Sequence, residues 1–239
     1  MKNDKWTFGI SLGESPYHVG DIVSSIRNQS VAMKDYEIIL IGNCQHPLVK
    51  SIEGSDIKKI EFDESIKNRW ITKKKNIIAQ EAKFDNISIH HDYVFLHRDW
   101  YRYFLDFKED WNVCMTRIEN LNGSRYRDWV TWSWTSNIDY VDYLDNSRTH
   151  EMYVSGCYWC VKKNFMLQHP LDENKCWGQG EDVEWSERIR VDNLWKYCCN
   201  WKSKVLLKNN KDSYIPHTND STLGWYSNWN KQNNEESDV

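Results

Sequence analysis

Apolar and polar positions fall into a repeating order along the first half of the chain. Thr7 to Leu12 is an apolar, β-compatible run that Gly13-Glu14-Ser15-Pro16 breaks with turn chemistry. Val19, Ile22, Val23 and Ile26 recur at helical spacing, and Tyr36 to Ile41 is a continuous apolar run closed by Gly42-Asn43. The pattern predicts strand, helix, strand. A fully apolar run marks a strand covered on both faces, hence a parallel sheet with right-handed crossovers. The loop that ends the first strand is a common place for a nucleotide to sit in such sheets.

Lys58 to Phe62 predicts a third strand, and Ile71, Ile78 and Ala82 share one face of a helix that carries Lys73, Lys74, Lys75 and Asn76 near its start. Cations there oppose the helix dipole. An anionic ligand such as a diphosphate would explain them, although a solvated lysine run is the commoner explanation. Ile87 to Ile89 predicts a short strand ending in His90-His91-Asp92. Strand alternation places His90 and Asp92 on one side and His91 on the other. Imidazole with carboxylate suits manganese better than magnesium or calcium, but most such triplets are structural or merely surface.

Further along, Asp99 to Lys108 suggests a short helix, Trp111 to Ile118 a strand, and Trp129 to Trp134 a strand with rings on one face. That face, which includes Trp132, is either core or the floor of a binding groove. Asn137 to Glu151 has no clear period. Tyr153 to Lys162 reads as a strand, Lys204 to Leu207 as the last one, and the polar stretch 227–239 as a frayed tail behind a single domain over 1–226.

Composition changes this picture in three ways. With 239 residues and a net charge of -4 from well-mixed charges, the chain has room for a real core and no basic stripe to suggest nucleic acid. No apolar run approaches the ~20 residues of a membrane span, so the expected place is the cytoplasm. Seven cysteines without regular spacing fit free thiols in a reducing compartment. Cys157 and Cys160 look like half a zinc site, but in a strand they would point to opposite faces. The third change comes from 14 tryptophans and 13 tyrosines, more than packing alone recruits. Most must be core, and two or three are free to stack on a sugar ring.

The most informative stretch is Val154 to Arg190. It leads through Pro170 to Trp177-Gly178-Gln179-Gly180-Glu181-Asp182, where a helix should begin, and acids suit the positive end of a helix. An ordinary loop entering an acidic helix is an equally good reading of that segment alone. Taken with the nucleotide-type α/β half, the strand ending in His-His-Asp, Val154-Ser155-Gly156 and a late histidine, the order of pieces resembles GT-A-fold glycosyltransferases. The likeness is to the family-2-like enzymes and the galactosyltransferase C-terminal domain, with a motif near W-G-W-G-G-E-D, and it covers residues 6 to 220.

The resemblance implies an α/β fold, a GT-A-like single domain with a mostly parallel central sheet flanked by helices. It also implies transfer of a sugar from a nucleotide-diphosphate donor to a glycan or other hydroxyl acceptor, with inversion. His90-His91-Asp92 stands at the family's Asp-x-Asp position, with its first acid replaced by histidine. Asp92, His90 and His217 would then be metal ligands for manganese, or else magnesium. Ser11, Gly13, Glu14, Ser15, Lys75, Asn76 and His91 would lie beside the nucleotide sugar. Trp177, Gly180 and Trp132 would meet the carbohydrate acceptor, with Asp182 as general base and Glu181 as hydroxyl ligand. Two other readings remain open: a carbohydrate-binding or inactive relative, and a metal hydrolase using His90, His91, Asp92 and His217.

Overall fold

The computed structural model describes residues 4–133, 136–209 and 211. The first half follows the predicted order: β1 (Lys5–Ser11), α1 (Val19–Arg27), β2 (Asp35–Gly42), α2 (Pro47–Lys50), β3 (Ile57–Glu61), α3 (Ile71–Glu81) and β4 (Asn86–His91). There follow β5 (Val94–Leu96), α4 (Trp100–Asp106), β6 (Val113–Asn120), a hairpin of β7 (Val130–Ser133) and β8 (Ser136–Tyr140), β9 (Tyr158–Lys162), α5 (Lys163–Gln168), α6 (Glu181–Val191) and β10 (Tyr197–Leu207). The boundary expected at 226 and the tail beyond it lie outside the described residues.

Eight strands form one sheet in the order β3-β2-β1-β4-β9-β6-β10-β5. Strands β1 to β4 run parallel, as does the pair β6 and β10. Strand β9 enters antiparallel between β4 and β6, and β5 closes the far edge antiparallel to β10. The sheet is therefore mostly parallel. Because β4 and β6 each oppose β9, they point the same way, and the carboxyl ends of β1, β2, β4 and β6 open on one edge.

Both faces of the sheet are covered, which is why the run Ile38 to Ile41 is apolar throughout and fully buried. Helix α1 contributes the four residues its spacing predicted, Val19, Ile22, Val23 and Ile26. Much of the aromatic excess is core. Trp6 meets Trp100 edge-on with centroids 4.7 Å apart and Phe104 at 4.8 Å, and each such pair adds about 0.5–1.5 kcal/mol beyond its buried area. All seven cysteines are free thiols.

Two elements differ from the sequence expectation. The strand expected over 153–162 begins only at Tyr158, because Tyr158 N–H turns back to the Ser155 carbonyl and Val154 N–H is taken by the Ser186 hydroxyl of α6. The last strand begins at Tyr197, seven residues early. Cys198 and Cys199 behave there as small buried apolar residues that extend the strand toward its amino end.

Candidate functional site

The carboxyl ends of β1 and β4 build the first wall of a cleft. Ser11 and His91 are register partners at these ends, so neighbouring strands place them side by side. The loop after β1 is fixed by Gly13 N–H, which donates to Asp92 Oδ2 at 2.7 Å, and by Lys74 Nζ of α3, which donates to the Leu12 carbonyl at 2.7 Å. Lys74 also forms an ion pair with Glu64. Burial lifts the Asp92 carboxyl above its usual range, and the Gly13 N–H acts against that lift. The cavity here, about 380 Å³, is lined by Ser11, Gly13, Glu14, Ser15, Arg69, Lys74, His91, Asp92 and Trp177, among others. A further hollow of about 610 Å³ shares Gly13, Glu14 and Glu64 with it and runs out to Asn43, Glu61 and Asp63.

The second wall belongs to α6 and the residues before β9. Gly180, the residue before α6, has φ 65°, and Gly178 has φ 81°; both lie in the left-handed region that favours glycine. The turn they allow delivers Glu181 and Asp182 to the mouth of the helix. Gly156 is needed for a different reason: a Cβ there would sit 2.8 Å from Asp182 Oδ2. Lys75 lies wholly buried beneath these acids, donating to the Gly156 carbonyl at 2.8 Å and standing 3.9 Å from Glu181 Oε1. Burial pushes Glu181 up while Lys75 pulls it down, and burial in turn draws Lys75 down against the pull of the two acids. The cavity on this side, about 320 Å³, is lined by Tyr126, Arg127, Tyr153, Gly156, Glu181 and Asp182, among others. His91, Tyr93, Trp177 and Lys211 line both cavities, so the two form one cleft with these four side chains at the junction.

Most of the residues singled out in the sequence meet at this cleft: Ser11, Gly13, Glu14, Ser15, His91, Asp92, Trp177, Gly180, Glu181 and Asp182. Three do not stand where alternation or analogy put them. His90 is a core residue; its Nε2 is 2.8 Å from the Ser88 hydroxyl, and its ring packs edge-on against Phe8 and Tyr158. Burial lowers its pKa to about 4, so it is neutral. The physical reason is that β4 ends at His91 and Asp92 already lies in a turn, so the period of two no longer applies to it. Asn76 also points away from the cleft: its amide clamps the loop after α5, bonding both the N–H and the carbonyl of Leu171 and the Glu173 carboxylate. Lys75 sits under the cleft, and it is Lys74 that lines it. The side chain of Trp132 and all of His217 lie outside the described residues.

Sequence reasoning missed Arg69, Tyr93, Arg127 and Lys211. Arg69 has φ 54°, and its guanidinium lies over one face of the Trp177 ring at 5.2 Å, leaving the half-exposed indole one face for a ligand. Nothing in the one-dimensional pattern marks these positions, since each reaches the cleft through a loop.

The metal implied by the resemblance finds a partial donor set. Among the described residues no group of three or more His, Cys, Asp or Glu side chains converges as a cage. Two donors fit. The Asp92 carboxylate lines the cleft, and His91 Nε2 is buried without a hydrogen-bond partner while Nδ1 lies 3.1 Å from the Tyr93 hydroxyl. Burial, aided by Lys75, Lys211 and Lys74, keeps His91 well below its usual pKa and therefore neutral. With the proton on Nδ1, directed at Tyr93, Nε2 presents a lone pair. Of the four ligands that a metal hydrolase would use, His90 is held in the core and His217 lies outside the described residues.

A mostly parallel sheet with a cleft at its carboxyl edge, an acid after β4 and a pair of acids opening a late helix define a GT-A-like glycosyltransferase fold. The solved structures that share it include TarS 1-349 of S. aureus, with a TM-score of 0.58 and 10% identity over 93% of this chain and 64% of that one. GalNAc-T7 with UDP, GalNAc and Mn2+ is similar at a TM-score of 0.65 and 16% identity, over 87% of this chain and 44% of that one. TarS 1-349 in complex with UDP-GlcNAc matches at 0.56 and 11% identity, over 92% and 60%. The chain thus spans less than two thirds of the length of each, and at these identities the likeness is one of fold. No family model matches the sequence, and no curated protein does.

Proposed function

We propose that this protein is a glycosyltransferase that takes a sugar from a nucleoside diphosphate donor, for which uridine is the favoured base, and places it on a carbohydrate hydroxyl. The observation that carries the reading is the joined cleft: Asp92 lines one of two cavities, Glu181 and Asp182 line the other, and four side chains are common to both. The neighbours of this fold that hold UDP, UDP-GlcNAc or UDP with Mn2+ support the donor class.

In this reading the donor diphosphate lies along the β1 loop, beside Ser11, Gly13, Glu14 and Ser15. Arg69 and Lys74 face its charge. A divalent cation, manganese rather than magnesium, bound by Asp92 and His91 would neutralise the leaving diphosphate. The acceptor rests on the open face of Trp177 with its hydroxyl between the two acids. Asp182 is the better base because Glu181 is engaged with Lys75 and almost fully buried, whereas Asp182 is partly open to the cavity. Asp182 removes the hydroxyl proton as the acceptor oxygen bonds to the anomeric carbon and the bond from that carbon to the diphosphate breaks, a single displacement that inverts the centre.

Calorimetry with UDP and manganese tests this directly. Binding that weakens sharply in Asp92→Ala is the expected result, together with hydrolysis of at least one nucleotide sugar from a panel. Unchanged UDP affinity in that variant would remove the donor assignment. Glycan binding that ignores nucleotide, with donor hydrolysis no faster than in buffer, would identify a carbohydrate-binding relative instead.

A further inference from the structure

Among the described residues, three other than glycine adopt a left-handed backbone: Arg69 at φ 54°, Arg127 at φ 42° and Asn193 at φ 51°. Asn193 follows α6, where asparagine commonly closes a helix. The other two are arginines, a bulky type for which this conformation is an outlier, and each lines one of the two cavities. Strain of this kind persists where the surroundings over-determine it, and it gathers at ligand sites.

The turn around Arg127 is over-determined in this way. Arg125 and Asp128 form a fully buried ion pair, with both Nε and Nη2 on Asp128 Oδ1 at 2.9 and 2.7 Å. Asp128 Oδ2 accepts from the Tyr143 hydroxyl at 2.6 Å and from Ile118 N–H at 3.2 Å. Tyr126 N–H reaches the Ile118 carbonyl, and Arg127 N–H donates to the Tyr140 hydroxyl at 3.0 Å. A charged pair buried to hold a tight turn in place sets two side chains, Tyr126 and Arg127, on the wall of the acid-bearing cavity, with the Arg127 guanidinium over the Tyr126 ring at 5.6 Å. Glycine would satisfy that backbone with less strain, yet the chain keeps a guanidinium there. Lys211 adds a second cation to the same cavity; its backbone is bonded both ways to the Asn120 side chain.

We propose that the acceptor is anionic, carrying a phosphate or carboxylate that Arg127 binds with its planar fork while Asp182 faces the reacting hydroxyl. The inference rests on the glycosyltransferase reading and adds the chemical class of its acceptor. A guanidinium matches either anion in bidentate geometry, and a charge-assisted contact of this kind is worth about tenfold or more in affinity.

The test is calorimetric titration of glucose, glucose 6-phosphate and glucuronate into protein saturated with UDP and manganese. The two anions should bind at least about tenfold more tightly than glucose, and their order separates a phosphate acceptor from a carboxylate one. Arg127→Gly suits the left-handed backbone, so it should fold at least as well as the parent, and it should abolish the preference while leaving UDP affinity unchanged. Equal binding of glucose and the anions, a preference that survives Arg127→Gly, or binding of none of the three would overturn the proposal. So would competition between the anions and UDP, since they would then be occupying the diphosphate position. Failure of UDP to bind at all would instead defeat the glycosyltransferase reading.

Discussion

Lys74 and Lys75 are consecutive on α3, both are almost wholly buried, and they support opposite walls of the cleft. Lys74 holds the β1 loop through the Leu12 carbonyl and pairs with Glu64, which keeps a quarter of its side chain exposed. Lys75 holds the Gly156 carbonyl and faces Glu181, and both charged side chains are buried, at 0% and 6% exposure. On the first wall, charge is partly screened and the geometry comes from strand ends and backbone N–H groups. On the second, charge is balanced inside the protein and the geometry depends on one buried cation. One helix thus sets the spacing of both halves, and the half with the acids is the more costly to disturb.

The sharpest separation of the two walls comes from their acids. Asp182→Asn should lower the rate of sugar transfer by about 10³-fold, within the range for loss of a general base, while UDP affinity stays as it was. Asp92→Ala should do the reverse to binding. If both variants lose UDP equally, the walls do not have separate tasks.

The lysine pair comes next. Lys75→Met leaves Glu181 buried without its cation and should cost about 3 kcal/mol of unfolding free energy, as broken buried pairs do. Lys74→Met should cost less, because water can reach Glu64. Denaturant midpoints compare them, and equal losses would mean that exposure of the partner is irrelevant here.

Gly156→Ala tests close approach on the second wall. The added methyl meets Asp182 Oδ2 at 2.8 Å, so the carboxylate must move, and transfer should fall by up to about 10²-fold with UDP affinity preserved. A variant with full activity would show that the position of Asp182 is unimportant.

The smallest effect should come from outside the cleft. Arg27 binds Asp56 through two nitrogens at 2.9 and 2.8 Å, and this hydrogen bonding holds the Asp56 carboxyl below its ordinary 3.8. A depressed carboxylate stabilises the fold above its unfolded pKa, and that contribution is lost as pH falls through the folded one. Asp56→Asn should therefore cost about 0.5–1 kcal/mol at pH 7, less as pH drops below 3.8, with activity unchanged. A loss of stability that is constant with pH would refute the assignment.

Legibility in the sequence followed periodicity. The order of β1, α1, β2, β3, α3 and β4 and the opening of α6 at Glu181 could be read because each is a run whose period or cap is written locally. His90 was misplaced because alternation was carried one residue past the end of a strand. Arg127 was invisible because its place depends on a buried pair, Arg125 with Asp128, whose partners look in sequence like two ordinary charges in a polar loop.

The sequence by itself determined the parallel half-sheet, the glycine turn and the acids that follow it, since backbone preference and hydrophobic period act over a few residues. Only the tertiary structure decided which lysine lines the cleft, which histidine faces it, and which arginines share it with Asp92 and Asp182. The lysine choice depends on contacts between residues far apart in the chain, such as Gly13 with Asp92 at a separation of 79 and Lys75 with Gly156 at 81, while the place of Arg127 depends on the burial of a pair only three residues apart, Arg125 with Asp128, and no local pattern encodes either.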